Sequence, residues 1–419
     1  MKLSSAILTA LLVAPSGALA QTSTTTGQDA APQVDVLDVW RMLRDQQPKT
    51  EAENTRMVAA MPIIGWNPTF GFTFGAAAQI AFVAGDPGST RISSSVSSLS
   101  YSTKNDLLLN VRFGLHSNEN QWFVEGDNRM YISGQSVYGL GSDTPSSSAI
   151  DADYTFVRIH DRAYRRVRGP LYVGAGLLFD SHSNVEPDDD AGEAWTGSPY
   201  VTYSQQHGLP IDSQQSGGLS ANLLVDKRVG EIDPRRGWMA QGWYRVSFDG
   251  FFGGDSSWQL AHLEARTYLP LGRQPLANES SQGGGVPAKH RLALWTFADI
   301  TTKGAAPYFD LPETVSDVYG RSARGYQQGR YRGERLVYGE LEYRGMLTRN
   351  GLLGLVAFVN TTTVTNLDAG EKLFDSYAPA AGAGLRVLFN KRSRTNLCVD
   401  LAFGKDGAKG LYFALQDAF

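Results

Sequence analysis

Between residues 105 and 116 the chain alternates without a break. Leu107, Leu109, Val111, Phe113 and Leu115 fall on one parity, and Asn110, Arg112 and His116 on the other. Side chains of an extended strand point to opposite faces with period two, so this stretch predicts a strand with one oily face and one wet, charged face. A transmembrane barrel strand and a half-buried sandwich strand both show that alternation, and repetition has to separate them.

The pattern repeats. Leu171, Val173, Ala175, Leu177 and Phe179 form one outward row, and Leu219, Ala221, Leu223 and Val225 oppose Ser220, Asn222 and Asp226. Trp238, Ala240, Tyr244, Val246 and Phe248 oppose Gln241, Arg245, Ser247 and Asp249. The 258–269 stretch sends His262, Glu264 and Arg266 inward, and 394–403 sends Leu397, Val399, Leu401 and Phe403 outward. Such runs exceed the usual five or six residues of a globular strand and match the roughly 9–11 of a tilted membrane span. Further candidates lie near 70–83, 90–101, 119–133, 153–166, 290–302, 334–346, 351–361, 377–389 and 408–419. A single-chain barrel with both ends in the periplasm needs an even number of strands. A first strand at 58–66, VAAMPIIGW, completes sixteen. The fold expected is all-β, a 16-stranded antiparallel transmembrane β-barrel with a short N-terminal helical or disordered segment.

Connections agree with this topology, because periplasmic turns are short and extracellular loops long. The turns 116–120, 166–169, 229–237, 348–351 and 390–394 fall inside, while 134–152, 181–213, 303–333 and 362–376 fall outside. The 272–288 stretch, long yet assigned to the periplasm, is the exception.

The ends refine the picture. MKLSSAILTALLVAPSGALAQ has one Lys, an apolar core and an Ala18-Leu19-Ala20 site, which reads as a secretory signal peptide over residues 1–20. Residues 21–57 read as a disordered leader, with a short amphipathic helix at 34–44 that carries Val36, Leu37, Trp40, Met42 and Leu43. Domain boundaries follow: signal peptide 1–20, leader 21–57, barrel 58–419. Forty-five Gly and a single Cys suit short strands and turns, and Cys398 alone cannot form an internal disulfide. The net charge of -4 argues against nucleic acid as a partner.

Residues 320–344, GRSARGYQQGRYRGERLVYGELEYR, lead from an Arg-, Gly- and Tyr-rich run into a strand. There Glu340, Glu342 and Arg344 share one face, and Val337, Leu341 and Tyr343 the other. Ala323-Arg324-Gly325-Tyr326 resembles the Arg-Gly-aromatic signature in the sixth extracellular loop of the bacterial surface antigen superfamily, the BamA/TamA-type barrels, and five strands follow it here too. Asp233-Pro234-Arg235-Arg236-Gly237 resembles a periplasmic turn of that family, and VDLAFGKDGAKGLYFALQDAF its closing hairpin. The resemblance implies that the loop folds into the lumen and that its arginine is held by acids on the two following strands. A buried guanidinium needs such a partner, and its planar fork suits a carboxylate. Glu342 is the first candidate partner of Arg324 and Glu340 the second; on the next strand Asn360 stands where the family has an acid. Leu411, Phe413, Leu415 and Phe419 share one parity of the last strand, and a terminal Phe is what the outer-membrane assembly machinery reads in proteins of this kind. The 21–57 segment is too short for a periplasmic POTRA domain, so the resemblance is to a barrel-only branch.

Catalytic signatures are missing from the sequence. It has no G-x-S-x-G elbow and no metal spacing among its six His, and GDSSWQ at 254–259 sits in a predicted outer loop. Glu186 and Asp188-Asp189-Asp190 read as a solvated acidic loop. The inward charges Arg112, Arg158, Arg162, Arg245, Glu264, Arg266 and Arg344, with Glu340 and Glu342, either tune ion passage or satisfy one another inside a plugged lumen. The expectation is a non-enzymatic protein of the cell outer membrane without metal or cofactor. Its expected surroundings are outer-membrane lipid and lipopolysaccharide, the assembly machinery during insertion, and an unidentified periplasmic partner. It would act in outer-membrane biogenesis or in protein or lipid transport. A passive porin-like channel is the alternative.

Overall fold

A computed structural model describes residues 33–44, 56–67, 69–188, 192–272, 289–391, 393–417 and 419. The expected signal peptide, the leader up to residue 32, the 273–288 connection and Asp189-Asp190 lie outside the described residues.

Sixteen strands form one closed antiparallel barrel. They are β1 (Met57–Asn67), β2 (Gly71–Val83), β3 (Ile92–Ser102), β4 (Leu107–His116), β5 (Trp122–Val137), β6 (Ile150–Arg168), β7 (Leu171–Pro187) and β8 (Ser213–Asp226). The second half comprises β9 (Gly237–Ser247), β10 (Trp258–Leu271), β11 (His290–Lys303), β12 (Arg335–Met346), β13 (Leu353–Val364), β14 (Ala378–Asn390), β15 (Thr395–Gly404) and β16 (Lys409–Leu415). Each pairs with its sequence neighbours, and β16 returns to β1, so every strand predicted from alternation has its counterpart. Closure leaves no sheet edge exposed. The β1–β16 seam is the weakest join, registered among the described residues only through Trp66 opposite Leu411.

Outward rows are apolar: Phe72 and Phe74 on β2, Leu107 and Leu109 on β4, Leu219 and Leu223 on β8, Leu401 and Phe403 on β15 are all exposed. The buried core is therefore inside the barrel, where aromatic clusters mix with charged rows. Strands β5, β6 and β7 run several residues further than expected at the extracellular side.

The last strand corrects the sequence reading. It stops at Leu415; Gln416 adopts φ 76, and the chain turns inward. Phe419 thus leaves the outward row of Leu411 and Phe413 and is buried in the lumen against Trp295 and Tyr268.

Two insertions enter the lumen. The β11–β12 connection, 304–334, folds in from the extracellular side. It is overlaid by α2 (Pro199–Gln206), whose Tyr200 and Tyr203 pack on Tyr308 and Phe309. At the periplasmic end the β8–β9 turn, 227–236, crosses the opening. Asp226 and Glu231 pair with Arg91 at 2.7 and 2.8 Å, and Asp233 pairs with Arg291 and, at 3.9 Å, with Arg394. The helix α1 (Val36–Met42), capped by Asp35, is held by charge: Asp35 accepts from the Lys391 amide at 2.9 Å and Asp38 from its Nζ at 2.5 Å. Its apolar Leu37, Trp40 and Met42 stay exposed.

A loop clamped in the lumen as the candidate functional site

The loop is shaped locally before it is clamped. The Asp317 carboxylate accepts backbone N–H bonds from Tyr319, Arg321 and Ser322 at 2.9, 2.9 and 2.6 Å, folding the tip that presents Arg324. Such an Asx cap satisfies backbone donors that would otherwise be buried unpaired. Gly325 then takes φ 115, and a Cβ there would sit 3.0 Å from the Ala380 Cβ. Its N–H donates to the Tyr412 hydroxyl at 2.9 Å. Tyr326 packs edge-on to Tyr331, accepts the Lys405 N–H at 2.9 Å, and donates to the Pro379 carbonyl.

Arg324 is completely buried. Its guanidinium donates to Glu342 at 2.5 Å, to Glu340, and to Asp400 at 2.6 Å, and lies 3.5 Å from the Phe358 ring centroid. Burial works against this charge, and the three carboxylates more than offset it, so Arg324 is held well above the usual arginine range. Both glutamates come from alternate inward positions of β12; Asp400 comes from β15.

Asp400 is the member that sequence reasoning missed. Its inward parity on 395–404 was readable, but a partner across a lumen lies far away in sequence. Asn360, where the family has an acid, serves the loop differently: its amide donates to the Arg324 carbonyl at 3.2 Å. The charge that Asn360 lacks is supplied by Asp400, two strands further on. Arg321 also pairs with Asp400; Arg386 pairs with Asp400 and Asp417, and Arg344 with Glu342 at 2.6 Å and the Phe419 main-chain oxygen at 2.8 Å. Four arginines (321, 324, 344, 386) thus face four side-chain carboxylates (340, 342, 400, 417) in one buried cluster.

The remaining lumen charges also find partners within the wall and the loop. Arg158 and Arg245 share Asp180 at 2.7 and 2.8 Å, and Arg266 pairs with Glu264 at 2.5 Å. Glu264 further accepts from the Trp295 indole at 2.7 Å. Arg162 lies 3.6 Å from Glu125 and over the Trp243 ring, and Arg112 donates to the loop carbonyl of Val318 at 3.0 Å. Loop residue Asp310 accepts from the Ser216 hydroxyl, with His182 at 3.9 Å. Phe413 points outward, whereas Leu415 is buried. Asp255 of the GDSSWQ stretch accepts the Gln215 N–H at 2.6 Å, a structural bond within the extracellular turns. No group of three or more His, Cys, Asp or Glu among the described residues could hold a metal ion.

No family model matches the chain, and no curated protein matches it by sequence. Solved structures do match in shape. BamA from Haemophilus ducreyi lacking POTRA domains 1–3 superposes with a TM-score of 0.52 at 14% identity, over 87% of this chain and 70% of that one. CdiB from Acinetobacter baumannii gives 0.51 at 13% identity, and CdiB from Escherichia coli 0.50 at 11%. The fold is that of the BamA and CdiB barrels. The chain spans 60% and 62% of the two CdiB structures, so the likeness to the BamA-type barrel is one of fold.

Proposed function

We propose that the protein is a non-enzymatic outer-membrane barrel that works at its β1–β16 seam, with a periplasmic partner, in outer-membrane biogenesis or in protein or lipid transport. The observation that carries this reading is the contrast between a weak seam and a loop-occupied lumen. Among the described residues the wall is registered at β1–β16 only through Trp66 opposite Leu411, while the lumen holds a loop clamped by a buried ionic cluster. A wall that parts sideways gives membrane-embedded clients an exit that a pore does not need. The apolar outer band supports a place in the bilayer.

A disulfide across the seam tests the reading. A Cβ at Gly65 lies 3.7 Å from the Phe413 Cβ, within the range a disulfide spans. Gly65→Cys with Phe413→Cys, in a Cys398→Ala background, is expected to abolish the envelope function of the protein when oxidised and to restore it on reduction. A locked protein that stays fully active overturns the seam reading. Large, steady conductance of the wild type in planar bilayers would favour the passive channel instead. Recovery of a periplasmic protein by crosslinking in envelopes would support the partnered reading.

A further inference from the structure

The outer wall carries a polar pair that a lipid-facing surface does not need. On β6, His160 and Arg162 are buried in the lumen while Ile159 is exposed, so Asp161 shares the outward parity of Ile159. On β5, Met130 and Ile132 are exposed, and Asn128 shares their parity. Asn128 donates one amide hydrogen to Asp161 at 3.2 Å, and its carbonyl oxygen has no partner. Asp161 stands opposite Gly126 and Leu177, and Gly126 stands opposite Phe113. The Phe113 ring and the Asp161 carboxylate both lean over Gly126, taking up the space a side chain there would fill. The outward rows 107–115 of β4, 171–179 of β7 and 219–225 of β8 carry no charge. An ionisable group in the apolar band is costly, and its presence calls for a partner.

The strand register sets the depth of this pair. Val58, Ile80, Ser95, Phe113, Gly126, Asp161, Leu177, Leu219 and Val246 form one paired row, which starts near the periplasmic end of β1 and ends near the extracellular end of β9. Rows therefore climb from β5 to β6. The row climbs about one residue per strand, so Asp161, two residues below Ile159, the direct partner of Asn128, sits about one residue below Asn128, and the 3.2 Å hydrogen bond brings their polar ends together.

We propose that the Asn128–Asp161 pair is a self-association site at which a second copy of this chain docks in the membrane plane. A two-fold axis along the membrane normal exchanges left and right at constant depth. It sets Asn128 of each copy against Asp161 of the other, the reciprocal contact an isologous interface requires. The second amide hydrogen of each Asn128 then goes to the facing carboxylate. Ala163 and Ala175 beside the pair let two walls approach closely, as small residues do at interfaces in lipid.

The test uses the full chain extracted with its native lipids into polymer discs, with particle mass as the readout. The wild type is expected at the mass of two chains. Asp161→Leu and Asn128→Leu, which make the outer wall more apolar and leave the barrel heat-modifiable, are each expected at one. A wild type at the mass of one chain overturns the proposal, as does a two-chain particle unchanged by Asp161→Leu. A different protein held in stoichiometric amount and lost on Asp161→Leu also overturns it, because the pair would then serve another partner.

Discussion

Replacing Arg324 with Ala removes one cation from a buried cluster in which four arginines face four side-chain carboxylates. Glu340, Glu342 and Asp400 are then left with an excess negative charge and fewer donors at a site where the side chains are essentially inaccessible to solvent. Breaking a buried pair in this way costs about 3–5 kcal/mol. The penalty falls on loop docking, because the barrel ladder does not pass through Arg324. If cleavage samples a rapidly opening loop, 3–5 kcal/mol corresponds to a rise of roughly 10²- to 10³-fold or more in chymotryptic cleavage at Tyr319, Tyr326 or Tyr331, at a tenfold change per 1.4 kcal/mol. The wild-type loop is expected to resist cleavage while the barrel remains heat-modifiable. Adding Glu340→Gln restores the original net charge and is expected to recover a large part of the protection, which simple loss of packing against Phe358 would not do. Wild-type protection in Arg324→Ala, or no recovery in the double variant, would refute the reasoning.

Three further outcomes follow from the same geometry. Burial, with Asp180 nearby, pushes the loop carboxyl Asp310 up to about 7, among Ser216, His182, Arg158 and Arg245. An acid with a raised folded pKa binds more protons docked than undocked, so docking weakens as pH rises from about 4 to about 7; proteolysis between pH 5 and 8 should show this, and Asp310→Asn should abolish it. Asn360→Asp replaces the donor to the Arg324 carbonyl with a facing carboxylate, and loop protection should fall by about 1–3 kcal/mol even though this restores the acid of the family pattern. Gly325→Ala, at φ 115 and in contact with Ala380, should weaken docking by about 1–3 kcal/mol in the same assay.

The barrel was legible because period-two alternation is written locally, one strand at a time. Boundaries slipped where the local signal changes. Strands β6 and β7 continue to Ile150 and Pro187, beyond the apolar band, where the alternation inverts: Ala152, Tyr154, Phe156 and Val185 are buried inside while Asp151 and Asp153 are exposed. The end of β16 was misread because a positive φ at Gln416 leaves no mark on hydrophobic patterning. In the site, Arg324, Glu340 and Glu342 could be named because they lie within one short stretch. Asp400 and Tyr412 could not, since only closure of the barrel brings them beside Arg324 and Gly325. Likewise Asn128 and Asp161 look unremarkable in sequence; only the parity of two paired strands places both on the outer wall.

The periplasmic turn 227–236 bears on how the wall can move. It springs from β8 and β9, on the side of the barrel away from the seam, yet its charges grip Arg91 at the start of β3 and Arg394 just before β15. Those two arginines flank β16, β1 and β2, the strands on either side of the weak join. The turn is therefore a cross-tie. Widening the seam at its periplasmic end stretches Arg91–Glu231 and Asp233–Arg394 together, whereas widening at the extracellular end stretches neither. The seam is thus held at both ends, by the Trp66–Leu411 pairing near its extracellular end and by this tie near its periplasmic end. Because the tie is ionic, added salt weakens it before it weakens the apolar wall.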